Sequence, residues 1–241
     1  MSGPPVTVGD EAASEGHEEA VPDGRRHGHP HHRAGGPAAV VGGEEVPVAR
    51  VDALLAAVPA RDRETRSEAL ARAQRQRRRW ATQVVVVDEL ARRSCAERGL
   101  APPPDVCPAR VLAVSGTEVA DLGSIVAVAL AHSPAARALL AALEAEQTVP
   151  EEAARAYYDR NPDRYLTREA LRRGVDPYGG AGPGDFLPFR EVRDEVVREL
   201  RRALGRLAFF DWLDRARAGV EFAPGHEHPG DPSHPDHEHR H

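Results

Sequence analysis

The clearest pattern in this chain is a helical stripe near its end. Phe189, Val192, Val196, Leu200, Leu204, Leu207, Phe210 and Leu213 recur at three- and four-residue steps, which predicts one long amphipathic helix over Phe189–Ala218, stopped by Gly219. A second long helix is predicted over Arg61–Arg98, where no Pro or Gly interrupts and Leu70, Ala73, Trp80, Val84, Val87, Ala91 and Cys95 share a face. The valines at 84–87 favour a strand, but the helical pattern around them is longer and prevails, and Gly99 closes it. Arg50–Val58 is a short helix, with Val51, Leu54, Leu55 and Val58 on one face and Pro59 behind it.

Local signals place the rest. Thr117 is the expected cap of a helix reaching about Ala131, and Ser133-Pro134 opens another reaching about Glu146. Thr148 and Glu151 have capping-box spacing before a helix that ends at Arg160, because Asn161 precedes a proline. Val40-Val41 and Glu45–Val48 flank Gly42-Gly43 as a hairpin, and Val220–Phe222 is a last short strand. Val111–Val114 is either a strand or the start of a helix, and Gly174–Pro188, with its GGAGPG run, is a loop. The expected fold is mainly α, with a small strand cluster that joins the two ends of the core.

Composition limits where that fold lies. Residues 1–39 and 224–241 hold almost no large apolar side chains, so they cannot offset their ordering entropy and are expected to be disordered tails around a domain at 40–223. The N-terminus has no apolar stretch, and no run reaches the length of a membrane span, which points to a cytoplasmic protein. A net charge of −6 argues against a general nucleic-acid binder. All 32 basic residues are arginine, which removes chemistry that needs a Lys Schiff base or a phosphate-loop lysine.

Candidate chemistry is sparse. The tails hold eleven of the twelve histidines, among them His27, His29, His31 and His32 in one run and His226, His228, His234, His237, His239 and His241 in the other. Neutral imidazoles beside Glu227, Asp231, Asp236 and Glu238 suit Zn²⁺, Ni²⁺ or Cu²⁺, although the spacing matches no structural zinc site. No serine has the GxSxG context of a nucleophile elbow, and Cys95 and Cys107 read as structural thiols. The arginines of 61–79 alternate with Asp62, Glu64 and Glu68 and read as a solvated helix face. His132 reads as a structural histidine at a helix end. Tyr157 and Tyr158 are either core or the lining of a peptide-binding surface.

The order of these pieces resembles the SurA and PrsA family of peptidyl-prolyl isomerase chaperones. VVGGEEVPVARVD (40–52) looks like that family's opening hairpin and helix, and RRWATQVVVVDELARRSCAERGL (78–100) like its long helix. VPEEAARAYYDRNPDRY (149–165) resembles its Tyr-Tyr helix, and the stretch from Phe186 to Phe222 its closing helix and strand. The resemblance implies a helical chaperone domain. In the family a parvulin-type isomerase module of about a hundred residues stands between the Tyr-Tyr helix and the closing helix. Only Leu166–Phe186 separates them here, and the core holds a single histidine, so the catalytic module is expected to be absent.

The functional expectation is a non-catalytic, SurA-like domain that binds unfolded or extended polypeptide or a dedicated protein partner. Trp80, Tyr157, Tyr158, Phe209, Phe210 and Trp212 are the candidates for its binding surface. The competing readings are a metal-handling protein that uses its tails for Zn or Ni, and an isomerase with a cryptic site.

Overall fold

The computed structural model describes residues 36–58 and 67–228. Gly42 and Gly43 take φ of 54° and 83°, the paired positive values of a tight turn whose twist matches its flanking strands. That turn joins β1 (Pro37–Val41) to β2 (Glu44–Pro47), and β3 (Val220–Phe222) pairs antiparallel with the other edge of β1. The sheet order β2-β1-β3 therefore joins the two ends of the core, as the hydrophobic pattern predicts.

Helix α1 (Val48–Ala57) leads from the hairpin, and α2 (Ser67–Glu97) is the central element. Every residue of α2 from Ala81 to Asp88 is buried, so the single stripe expected from the sequence is too narrow. Four consecutive valines point around the full circumference of a helix, and that is stable only where neighbours cover every side. The helix ends as expected at Gly99 (φ 67°), where the Leu100 amide donates to Cys95 O at 2.8 Å and the Gly99 amide to Ala96 O at 3.1 Å.

A buried carboxylate ties α2 to its surroundings. Asp88, with no exposed side-chain surface, accepts from Arg50 of α1 at 2.7 Å and from Arg92 at 2.8 Å. Arg50 also reaches Glu89 at 2.7 Å, and Arg93 links Glu89 to Glu44 of the hairpin.

Beyond α2 come α3 (Pro108–Val111), α4 (Gly116–Leu122), α5 (Ser124–His132) and α6 (Pro134–Ala145). The predicted helix from Thr117 to Ala131 is two helices. Ser115, rather than Thr117, caps the first through a reciprocal box with Glu118, and Gly123 at φ 75° breaks the chain before the second. Ser133 caps α6 as expected, accepting from the Ala136 amide at 3.0 Å. In α7 (Glu151–Arg160) Pro150 holds the N-cap position and no side chain caps it, so Thr148 lies too far out to serve. A short α8 (Arg168–Arg173), unforeseen in the sequence reading, begins at the Thr167 cap and ends at Gly174 (φ 67°).

The closing helix, α9 (Phe189–Arg217), packs differently from its predicted stripe. Val192 and Val196 join a small cluster with Ala154 and Tyr165, whereas Phe209 and Leu213 enter the main core. Gly205 crosses α6 so closely that an added Cβ would lie 2.8 Å from the Glu144 Cα. The nine residues from Val196 to Gly205 make two and a half turns, so α9 offers opposite faces to the two clusters. Leu204 and Leu207, predicted as core, continue the face of Val196 and Leu200 beyond the small cluster and are 37% and 60% exposed.

The domain also extends past its predicted boundary at Ala223. The backbone turns back on α2, His226 is buried with Nδ1 2.7 Å from Thr82 Oγ1, and Glu227 lies 3.6 Å from Arg79. His226 is thus part of the fold and not of a free tail. The disorder expected for the outer parts of both tails falls on 1–35 and 229–241, outside the described residues.

The close crossing at Gly205 sets two effects against each other. Gly205→Ala should gain about 1 kcal/mol of helix propensity and lose about 1–3 kcal/mol to overpacking against the Glu144 backbone. A net fall in thermal midpoint is expected, and Gly205→Leu should fall much further. Leu207→Ala, on the exposed side of the same turn, should change the midpoint little. A rise in midpoint for Gly205→Ala would contradict the crossing.

Candidate functional site

Proline and asparagine chemistry builds the small cluster. Asn161 stops α7, its side chain donating to Tyr157 O at 2.6 Å, and Pro162 starts a 3-10 turn through Tyr165. The chain then leaves and returns side by side. Leu166 pairs with Phe186 in an isolated antiparallel bridge, framed by Thr167 N to Asp185 O and Leu187 N to Tyr165 O, both 2.8 Å. The Leu166–Phe186 segment is thus closed at its base by backbone hydrogen bonds.

Aromatic rings fill the space between this bridge, α7 and α9. Tyr158 stacks on Tyr165 with ring centres 4.8 Å apart and meets Phe189 edge-on at 5.5 Å, while its hydroxyl donates to Leu187 O at 2.7 Å. The Arg155 guanidinium lies 4.6 Å over the Phe189 ring. Tyr157 donates to Glu199 at 2.8 Å, and Arg164 reaches both Glu199, at 2.5 Å, and the Tyr157 hydroxyl. Burial pushes the Glu199 carboxyl up, but the hydrogen bonds from Arg164 and Tyr157 outweigh it and leave it below the usual carboxylate range. Burial also raises the Tyr157 and Tyr158 hydroxyls, which stay protonated donors.

One cleft opens on this cluster. It has a volume of about 210 Å³ and is lined by Tyr158, Asp159, Pro162 and Phe186. Beside it Tyr178, 70% exposed, donates to Asp163 at 2.8 Å.

The six aromatic residues picked out by sequence do not form one surface. Tyr157 and Tyr158 belong to the cleft cluster, whereas Trp80, Phe209, Phe210 and Trp212 pack with the main core. Phe209 is 1% exposed, 5.1 Å from Trp212, and serves as core rather than as surface. The cleft's other walls, Pro162 and Phe186, were missed; the available signal was a lone large aromatic beside a Gly- and Pro-rich loop. Of the six C-terminal histidines, His226 packs on Thr82 and His228 is exposed, while His234, His237, His239 and His241 lie outside the described residues. Among the described residues no group of three or more His, Cys, Asp or Glu is arranged to hold a metal ion.

Two further reactive groups lie in the main core. Cys95 is buried, its thiol 3.4 Å from Ala135 O, and burial raises its pKa, which keeps it protonated. His132, at the end of α5, is 5% exposed. Burial lowers its pKa, the Asp88 charge opposes this, and Arg50, Arg92 and Arg137 reinforce it. Among the described residues no single helix is long and apolar enough to cross a membrane. Comparison with protein families, curated proteins and solved structures finds no match for this chain.

The neutral form of His132 is the one the fold favours, so the unfolded chain binds its proton more readily. Stability from this group is therefore complete above the ordinary histidine value of 6.5 and is lost as pH falls below it. Urea unfolding between pH 7.5 and 5 should show declining stability, and His132→Asn should flatten that decline. An unchanged slope in the variant would show that His132 does not carry the effect.

Proposed function

We propose that this chain is a non-catalytic, SurA-like interaction domain that holds extended polypeptide at the aromatic cleft of its small cluster. The observation that carries the reading is the cleft itself. Tyr158, Phe186 and Pro162 present apolar surface, beside a backbone bridge, at the position where the resembling family inserts its isomerase module. An aromatic cleft suits an extended chain, because ring faces bury alternate side chains at small entropic cost.

Three features support the reading. The hairpin, the central helix and the closing helix come in the order the resemblance implies, with β3 returning to β1. The segment between Leu166 and Phe186 is short and folded on itself, which leaves the cleft uncovered by a further module. The Tyr157–Glu199–Arg164 contacts fix α7 to α9 and hold the cleft's wall in place.

The experiment is a client assay with the full chain. Substoichiometric to stoichiometric protein should slow aggregation of an unfolded model client, while a prolyl-isomerase assay should show no turnover. Phe186→Ser should weaken binding of a labelled extended peptide by about 2 kcal/mol, roughly thirty-fold, with an unchanged circular dichroism spectrum. Turnover in the isomerase assay, or unaltered peptide binding in Phe186→Ser, would overturn the proposal.

A further inference from the structure

The charge around the cleft is lopsided. Five arginines near the small cluster are turned to other groups. Arg155 lies over Phe189, Arg160 donates to Ala156 O at 3.0 Å, and Arg164 binds Glu199. Arg173 pairs with Asp185, and Arg193 with Glu151. Asp159, in the cleft lining, has no cationic partner among the described residues. Asp163, one residue past Pro162, takes only the Tyr178 hydroxyl. Asp159 in the lining and Asp163 beside Pro162 thus enter no ion pair among the described residues, next to an aromatic cleft.

Size narrows the occupant. About 210 Å³ is below the roughly 300–1,000 Å³ of small-molecule sites, and it suits one large side chain. A purely apolar side chain would fill the ring-lined part and gain nothing from the exposed carboxylates beside it. An arginine or lysine satisfies both halves, its methylene stem along Pro162 and Phe186 and its cation near the Tyr158 ring and Asp159. The planar guanidinium also stacks on an aromatic face and binds a carboxylate in two-point fashion, so arginine fits better than lysine.

We infer that the cleft is a selective subsite for one basic side chain, arginine above all, of a bound extended polypeptide. The inference rests on the peptide-holding reading and adds what that reading lacks, a sequence preference in the client.

The test uses the full chain and fluorescein-labelled nonapeptides, Gly- and Ser-flanked, whose central residue is Arg, Lys, norleucine or Glu, measured by fluorescence anisotropy. The Arg peptide should bind about ten-fold tighter than the norleucine peptide, with Lys between them and Glu weakest. That margin should shrink as NaCl rises from 50 to 500 mM. Asp159→Asn should abolish most of the margin while leaving norleucine binding in place, and Asp163→Asn should reduce it in part. Equal binding of Arg and norleucine peptides, or a margin intact in Asp159→Asn, would overturn the basic-subsite inference and leave peptide holding standing. Failure of every peptide to bind would overturn both.

Discussion

Asp88 carries a carboxylate with no exposure to solvent in the middle of a helix packed on every side, and the main core is arranged to answer it. A lone buried charge would cost several kcal/mol, so its partners are obligatory. Arg50 reaches it from α1 and Arg92 from the next turn of α2, and through Glu89 and Arg93 the same network extends to Glu44 in the hairpin. The opening strands, the first helix and the central helix are thereby held in one register. The same logic applies six residues earlier on α2. Thr82 is buried, and its hydroxyl meets His226, which fastens the last described residues to the core. Polar groups on the innermost helix therefore connect the first and last described segments to it, while the valines between them supply apolar burial on all sides.

The small cluster is built on other terms. Few of its side chains are fully buried, with Ala154, Tyr165, Val192 and Val196 at the centre, and much of its order comes from directional contacts: the Leu166–Phe186 bridge, Tyr158 to Leu187, and Tyr157 with Arg164 to Glu199. Such an arrangement leaves ring surface uncovered without losing shape. Tyr165 stays buried at the centre, while Tyr158 and Phe186 keep part of their ring surface open at the cleft.

The fold was readable where a local rule acted alone. The paired glycines at 42–43, the Gly99 stop, the Ser133-Pro134 start and the Asn161-Pro162 end each act through a backbone preference, and each stands where the sequence places it. Reading failed where a rule competes with a neighbour. Ser115 outcompetes Thr117 because Glu118 completes its box, and Pro150 displaces Thr148 from the cap. Helical periodicity alone shows the α9 stripe as one face and does not reveal that two separate clusters share it. The cleft was half legible. Tyr157 and Tyr158 stand out in sequence, but Phe186 and Pro162 join them only through a bridge between residues twenty apart.

Helix α9 also sets a limit on how this chain can change length. Because Val196 and Gly205 face opposite ways across nine residues, the helix works as a key cut on both sides. Adding or removing one residue between them would turn one body by roughly 100° and shift it by about 1.5 Å relative to the other. Either the Glu144 crossing or the Ala154–Tyr165 contacts would then be lost. The stretch between Gly174 and Gly182 lies outside both locks, because the chain leaves and rejoins the body through the Leu166–Phe186 bridge, so an added residue there would turn neither one.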